Sequence, residues 1–156
     1  GAPVKLIETT VAVNDARKKA MATKVADAIG LSELTGKTIG VLGVTFKPNT
    51  DDMRDAPAIT IVQALLDGGA DVHVFDPEGM EAAKAVLGPV TYGKNPYEIA
   101  TGAEAIVVVT EWDEFRALDF RRLKQEMKAP VIVDLRNIYR PEDTAAAGFT
   151  YVSVGR

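Results

Sequence analysis

Four short runs of apolar, β-branched residues recur along this chain, at 38–42 (TIGVL), 71–75 (DVHVF), 105–109 (AIVVV) and 131–135 (VIVDL). The stretches between them carry helical patterning. Runs this short, with so few polar residues, read as strands buried on both faces. Strands that alternate with helices imply right-handed crossovers and a mostly parallel sheet covered on both sides. The fold class expected is therefore α/β, a Rossmann-like doubly wound sheet over residues 37–156, with 105–109 as a central strand. Minor or terminal strands are expected at 90–92 and 150–154, and helices at 57–66, 79–87, 96–100, 120–127 and 142–147. Pro57 suits a first helical turn, where its missing N–H costs little. Ahead of the sheet, residues 4–29 contain neither glycine nor proline. Val4, Ile7, Val11, Met21, Val25 and Ile29 fall near helical spacing, less regularly in the middle. They predict one long helix over residues 1–30, with room for an interruption near Asn14 and a stop at Gly30. A helix of that length points to packing on another domain or another subunit.

The connection after the first strand is the unusual one. It runs about 13 residues, against the usual 2–6 of a strand-to-helix loop. Gly40 and Gly43 are followed by Val44, Thr45 and Phe46, which is not the G-x-G-x-x-G pattern of a dinucleotide turn. Ligands of parallel sheets sit beyond the carboxyl ends of the strands, which is where this loop lies. Its chemistry suits a phosphorylated ligand. Lys47 is a point cation, and Arg54 is a planar fork able to hold phosphate or carboxylate. Phe46 offers a packing face. Asp51, Asp52 and Asp55 can orient these cations or accept hydrogen bonds from sugar hydroxyls. A self-satisfied loop is the alternative, with Arg54 paired to Asp51 or Asp52 and Asp55 capping the helix at Pro57. For Asp55 the cap is the preferred reading, and for Lys47 the ligand.

Composition narrows the classes. The 156 residues suit one domain with a short appended element, and 47% hydrophobic content provides a core. No apolar run approaches the roughly 18–20 residues of a membrane span. The first residues lack the features of a signal peptide, so a cytoplasmic, soluble protein is expected. A net charge of −4 with interspersed signs argues against nucleic-acid binding. There is no cysteine, and His73 is the only histidine, which excludes disulfides, a cysteine nucleophile and a zinc site with several imidazoles. No catalytic residue and no metal ligand is expected. Asp76 reads as a turn or cap before Pro77, His73 as an ordinary strand residue, and the 121–124 charges as a solvated helix face. Trp112 and Glu111 follow the central strand and read equally as packing or as cleft lining. Arg136 follows a strand at the ligand edge, where function is the preferred reading.

The sequence Phe46-Lys47-Pro48-x-Thr50-Asp51-Asp52-x-Arg54-x-x-Pro57, placed after a TIGVLG strand, resembles the C-terminal domain signature of the UDP-glucose and GDP-mannose dehydrogenases. Val13-Asn14-Asp15-x-x-Lys18 resembles the end of that family's central dimerisation helix. Phe75-Asp76-Pro77, the run from Thr110 to Phe115 (TEWDEF) and the run from Val133 to Asn137 (VDLRN) also match, so the resemblance covers nearly the whole chain. The long loop is its most specific part and is most similar to the UDP-glucose branch.

That resemblance implies oxidation of UDP-glucose to UDP-glucuronate in two hydride transfers to NAD, through a cysteine-bound intermediate. It implies that Phe46, Lys47 and Arg136 bind the UDP-sugar, with Asn137 and Tyr139 in support, and that Arg54 reaches toward NAD. It implies a homodimer through the first helix. The family's catalytic cysteine and its NAD-binding N-terminal domain have no counterpart among these residues. The resemblance therefore implies a piece that is inactive alone and has the rest of the same polypeptide as its partner, with NAD bound mainly there. The same domain of a GDP-mannose or UDP-N-acetylmannosamine dehydrogenase, and a stand-alone nucleotide-binding module, remain as alternatives.

Overall fold

The computed structural model describes residues 2–155. In chain order the elements are α1 (Ala2–Ala28), β1 (Thr38–Leu42), α2 (Pro57–Asp67), β2 (Asp71–Phe75), α3 (Met80–Lys84), β3 (Thr91–Tyr92), α4 (Pro96–Ala100), β4 (Ala105–Val108), α5 (Asp113–Arg116), α6 (Phe120–Glu126), β5 (Val131–Asp134), α7 (Pro141–Ala146) and β6 (Thr150–Ser153). The strands form one six-stranded sheet in the order β3-β2-β1-β4-β5-β6. Every pairing is parallel. The direction of strand addition reverses between β1 and β4, so the switch point lies between their carboxyl ends.

Alternate residues of each central strand feed different cores, as the period of two requires. Ile39, Val41, Val107 and Val133 join Val25, Ile61, Val62, Leu65, Val72 and Val74 on the side of α1 and α2. Leu42, Ile106, Val108 and Ile132 join Ile99, Phe115, Leu123 and Phe149 on the side of α4 to α7. Burial on both faces is why these strands read as continuous apolar runs. The one helix not anticipated is α5, whose four residues are too few to show a period.

The first helix runs unbroken past Asn14. It ends in a Schellman turn: Leu31 N–H donates to the Ala26 carbonyl at 3.1 Å and Gly30 N–H to that of Asp27 at 3.0 Å, with Gly30 at φ +74°. Its two halves differ. Met21, Ala22, Val25, Ala26 and Ile29 pack into the core beside α2, and Lys24 Nζ donates to the Ser153 carbonyl at 2.7 Å. Val4, Leu6, Ile7, Val11 and Val13 are each more than half exposed.

Candidate functional site

Parallel strands put the loops after β1, β2, β4 and β5 on one edge, and the predicted residues are all there. The loop after β1 is built in two parts. Its root turns at Gly43, where φ is +83° and a Cβ would lie 2.8 Å from the backbone N and O of Thr110. Only glycine meets both demands. Val44 and Thr45 are buried. Phe46 N–H donates to the Asp52 carbonyl at 2.8 Å and closes a small crest over residues 46–52. Beyond the crest, buried Met53 and Ala56 return the chain to the core.

The root is held by a carboxylate that sequence reading assigned only to a local turn. Asp76 follows β2 and is 1% exposed. Its Oδ1 accepts from Glu78 N (3.0 Å) and Gly79 N (2.8 Å), which is the expected turn. Its Oδ2 accepts from Val44 N (2.8 Å), Thr45 N (3.1 Å), the Thr45 hydroxyl (3.1 Å) and the Trp112 indole N–H (3.2 Å). With its lone pairs taken, Asp76 has none left for a ribose. From β4's end, the Thr110 hydroxyl donates to the Thr45 carbonyl at 2.7 Å. The signal in the sequence was an acid at a strand end. What it lacked was the strand order that brings Val44, Thr45 and Trp112 to that acid.

The crest itself is open. Phe46 is 51% exposed, and Lys47 is exposed with no ion pair among the described residues. Arg54 lies where the crest returns, and its partner is Asp52. Arg54 Nε and Nη2 donate to the two Asp52 oxygens at 3.0 Å each, and Arg54 N–H to Oδ1 at 2.9 Å. The side-chain bonds from Arg54, then its backbone N–H, lower the Asp52 carboxyl to about 2. Asp55 does not cap α2: Ala56 holds the N-cap position, no side-chain bond is made there, and Asp55 has φ +53°. Proline at N1 already removes one of the donors a cap would satisfy.

Arg136 follows β5, and its side chain is 44% exposed and ion-paired with Glu111. It borders a cleft of about 370 Å³ between α1 and the sheet edge, with Asn14, Arg17, Ile61 and Leu135. Arg54 borders a different hollow, with Ile59, Ala82 and Val86 toward α3. The sheet order sets β2 and β5 on opposite sides of the β1/β4 pair, so Arg54 and Arg136 occupy opposite flanks of the crest. The two supporting positions bond to the protein itself. Asn137, at φ +55°, exchanges hydrogen bonds with the backbone of Val154, Nδ2 to O at 2.9 Å and N to Oδ1 at 3.1 Å. Tyr139 is buried, and its hydroxyl donates to the Phe115 carbonyl. Burial first, and then the nearby Asp134 charge, push that hydroxyl above the usual tyrosine range.

An exposed aromatic, an exposed lysine and two flanking arginines on this edge suit an anion that also carries a flat or apolar group. Residues 40–141 match the model of the UDP-glucose/GDP-mannose dehydrogenase family, UDP binding domain. The chain is 59% identical over 154 residues, 99% of its length, to the UDP-glucose 6-dehydrogenase of Rhizobium meliloti (strain 1021). It is 38% identical, over 100% of its length, to the UDP-glucose 6-dehydrogenase TuaD of Bacillus subtilis (strain 168). It spans 35% and 34% of those relatives, about a third of each. Among solved structures, a UDP-glucose dehydrogenase from the hyperthermophilic archaeon Pyrobaculum islandicum matches with a TM-score of 0.70 and 32% identity, covering 88% of this chain and 29% of that one.

Proposed function

This chain belongs to the UDP-glucose/GDP-mannose dehydrogenase family, and on that premise we propose that it grips the UDP of UDP-glucose within an NAD-dependent UDP-glucose 6-dehydrogenase. The carrying observation is the open crest on a buried root, with Phe46 and Lys47 exposed at the carboxyl edge of a parallel sheet. Lys47 supplies charge to the diphosphate, Phe46 packs on the nucleotide, and Arg136 meets the substrate from the β5 side. A root fixed before binding keeps the entropic cost of ordering these side chains low.

NAD does not fit inside this sheet. Gly43 packs on the Thr110 backbone at the switch point, and Asp76 is fully occupied by protein donors. Arg54 reaches toward NAD from the opposite flank, and the cofactor is held mainly by the rest of the polypeptide. With no cysteine in its sequence, the chain is inactive alone. The exposed apolar residues Val4, Leu6, Ile7, Val11 and Val13 on α1 are covered by a second copy in a homodimer. Light scattering with and without residues 1–13 checks this, and a monomer in both forms sinks it. No helix among the described residues is long and apolar enough to cross a membrane.

Calorimetry or a thermal-shift titration with UDP-glucose tests the grip. A small stabilisation is expected, removed by Lys47→Ala with the unliganded melting temperature unchanged. An undiminished shift in that variant, or a preference for GDP over UDP, overturns the assignment.

A further inference from the structure

One tripeptide touches both ends of this edge. Thr110, Glu111 and Trp112 follow β4, the strand between β1 and β5. The Thr110 hydroxyl holds the Thr45 carbonyl at 2.7 Å, one residue before Phe46. The Trp112 indole donates to the Asp76 oxygen that also binds Val44 and Thr45. Between them, Glu111 pairs with Arg136, and the segment is tightened by Trp112 N–H donating to the Thr110 carbonyl at 3.0 Å. Thr110 and Trp112 are buried at 2% and 6% exposure, while Glu111 is 27% exposed and faces the cation. In this alternation, the two buried side chains fix the crest and the exposed one fixes the arginine.

We infer that Thr110, Glu111 and Trp112 are positioning residues that set the spacing between the Phe46 and Lys47 crest and Arg136, and so match the edge to a nucleoside diphosphate sugar. Thr110 and Trp112 act through the loop root, and Glu111 acts through Arg136. The inference rests on the function proposed above. It adds that the two arms are separable: loss of one leaves the other in place.

Amide NMR titration of this chain with UDP-glucose tests it, since weak affinities remain measurable. Trp112→Phe and Thr110→Val are each expected to weaken binding about tenfold, the order of one buried hydrogen bond. Both also speed hydrogen exchange at the Val44 and Thr45 amides. Thr110→Ser keeps the hydroxyl and restores affinity to within about twofold of the parent, within the error of independent sites. Glu111→Ala costs about threefold, as a part-exposed ion pair does. A merely structural role is separated by double variants. Glu111→Ala adds nothing to Arg136→Ala, because it acts through that arginine, whereas Trp112→Phe and Arg136→Ala multiply. If Glu111→Ala and Arg136→Ala multiply, or if both Trp112→Phe and Thr110→Val bind UDP-glucose like the parent, the inference fails while the proposed function stands. A parent chain that shows no titration with UDP-glucose overturns the proposed function, and this inference with it.

Discussion

Asp76 and Asp134 occupy equivalent places and do different work. Each ends or follows a parallel strand, each is essentially buried, and each spends both oxygens on protein donors. Asp134 serves its own turn and the adjoining strand β6. Its Oδ1 accepts from Arg136 N (3.0 Å), and its Oδ2 accepts from Tyr139 N (3.0 Å) and the Tyr151 hydroxyl (2.7 Å). Asp76 serves its own turn with one oxygen and two other loops with the other. Its partners Thr45 and Trp112 lie 31 and 36 residues away in sequence. A strand-end acid in such a sheet is thus identified by its donors, and these two organise opposite halves of one sheet edge.

The difference predicts unequal losses. Asp76→Asn keeps the shape but sets an amide NH₂ among converging N–H donors. It should lower stability by about 3–5 kcal/mol, since donors to a charged acceptor are worth roughly 1.5–3 kcal/mol each and do not add fully. Chemical denaturation measures this, and UDP-glucose binding should vanish with it. Asp134→Asn should cost about 1.5–3 kcal/mol, because fewer donors converge there. In that variant the Val44 and Thr45 amides should keep their protection and the Arg136 and Tyr139 amides lose theirs. Equal costs, or protection lost at Val44 in the Asp134 variant, would break the division of the edge into two halves.

Much of this was legible in the sequence, for physical reasons that differ by element. The central strands show themselves because burial on both faces leaves no polar alternation, as at Ile39 to Leu42 and Ala105 to Val108. The pairing of Arg54 with Asp52 was an open alternative because both lie in one turn. Phe46 and Lys47 were singled out by residue type in a long loop, and the structure leaves both exposed. The role of Asp76 at the loop root was hidden, as was the link from Glu111 to Arg136. Each depends on which strands are neighbours, and no local pattern encodes that. Asn137 and Tyr139 illustrate the converse. They adjoin Arg136 in sequence, while a positive φ and a buried hydroxyl commit their side chains to the protein.

Asp52 supplies the smallest effect and the sharpest contrast with the two buried acids. It too spends both oxygens on protein donors, yet its pair with Arg54 sits in solvent, where ion pairs contribute little to stability. Arg54 lowers the Asp52 carboxyl to about 2, by its side-chain bonds first and its backbone N–H second. A depressed carboxyl favours the folded state above the unfolded value of about 3.9, and that contribution is lost as pH falls from there through the folded value. Asp52→Asn should therefore lower stability slightly at neutral pH, with the difference from the parent fading between about pH 4 and pH 2. The carboxyl carbon of Asp52, followed by NMR, should titrate near 2 in the parent. It should move toward about 3.9 in Arg54→Ala, which leaves the carboxylate without its fork. A parent midpoint already near the ordinary value would mean that Arg54 is not held in solution. The arginine offered to NAD would then be a mobile side chain, and the preset geometry of this flank would be lost.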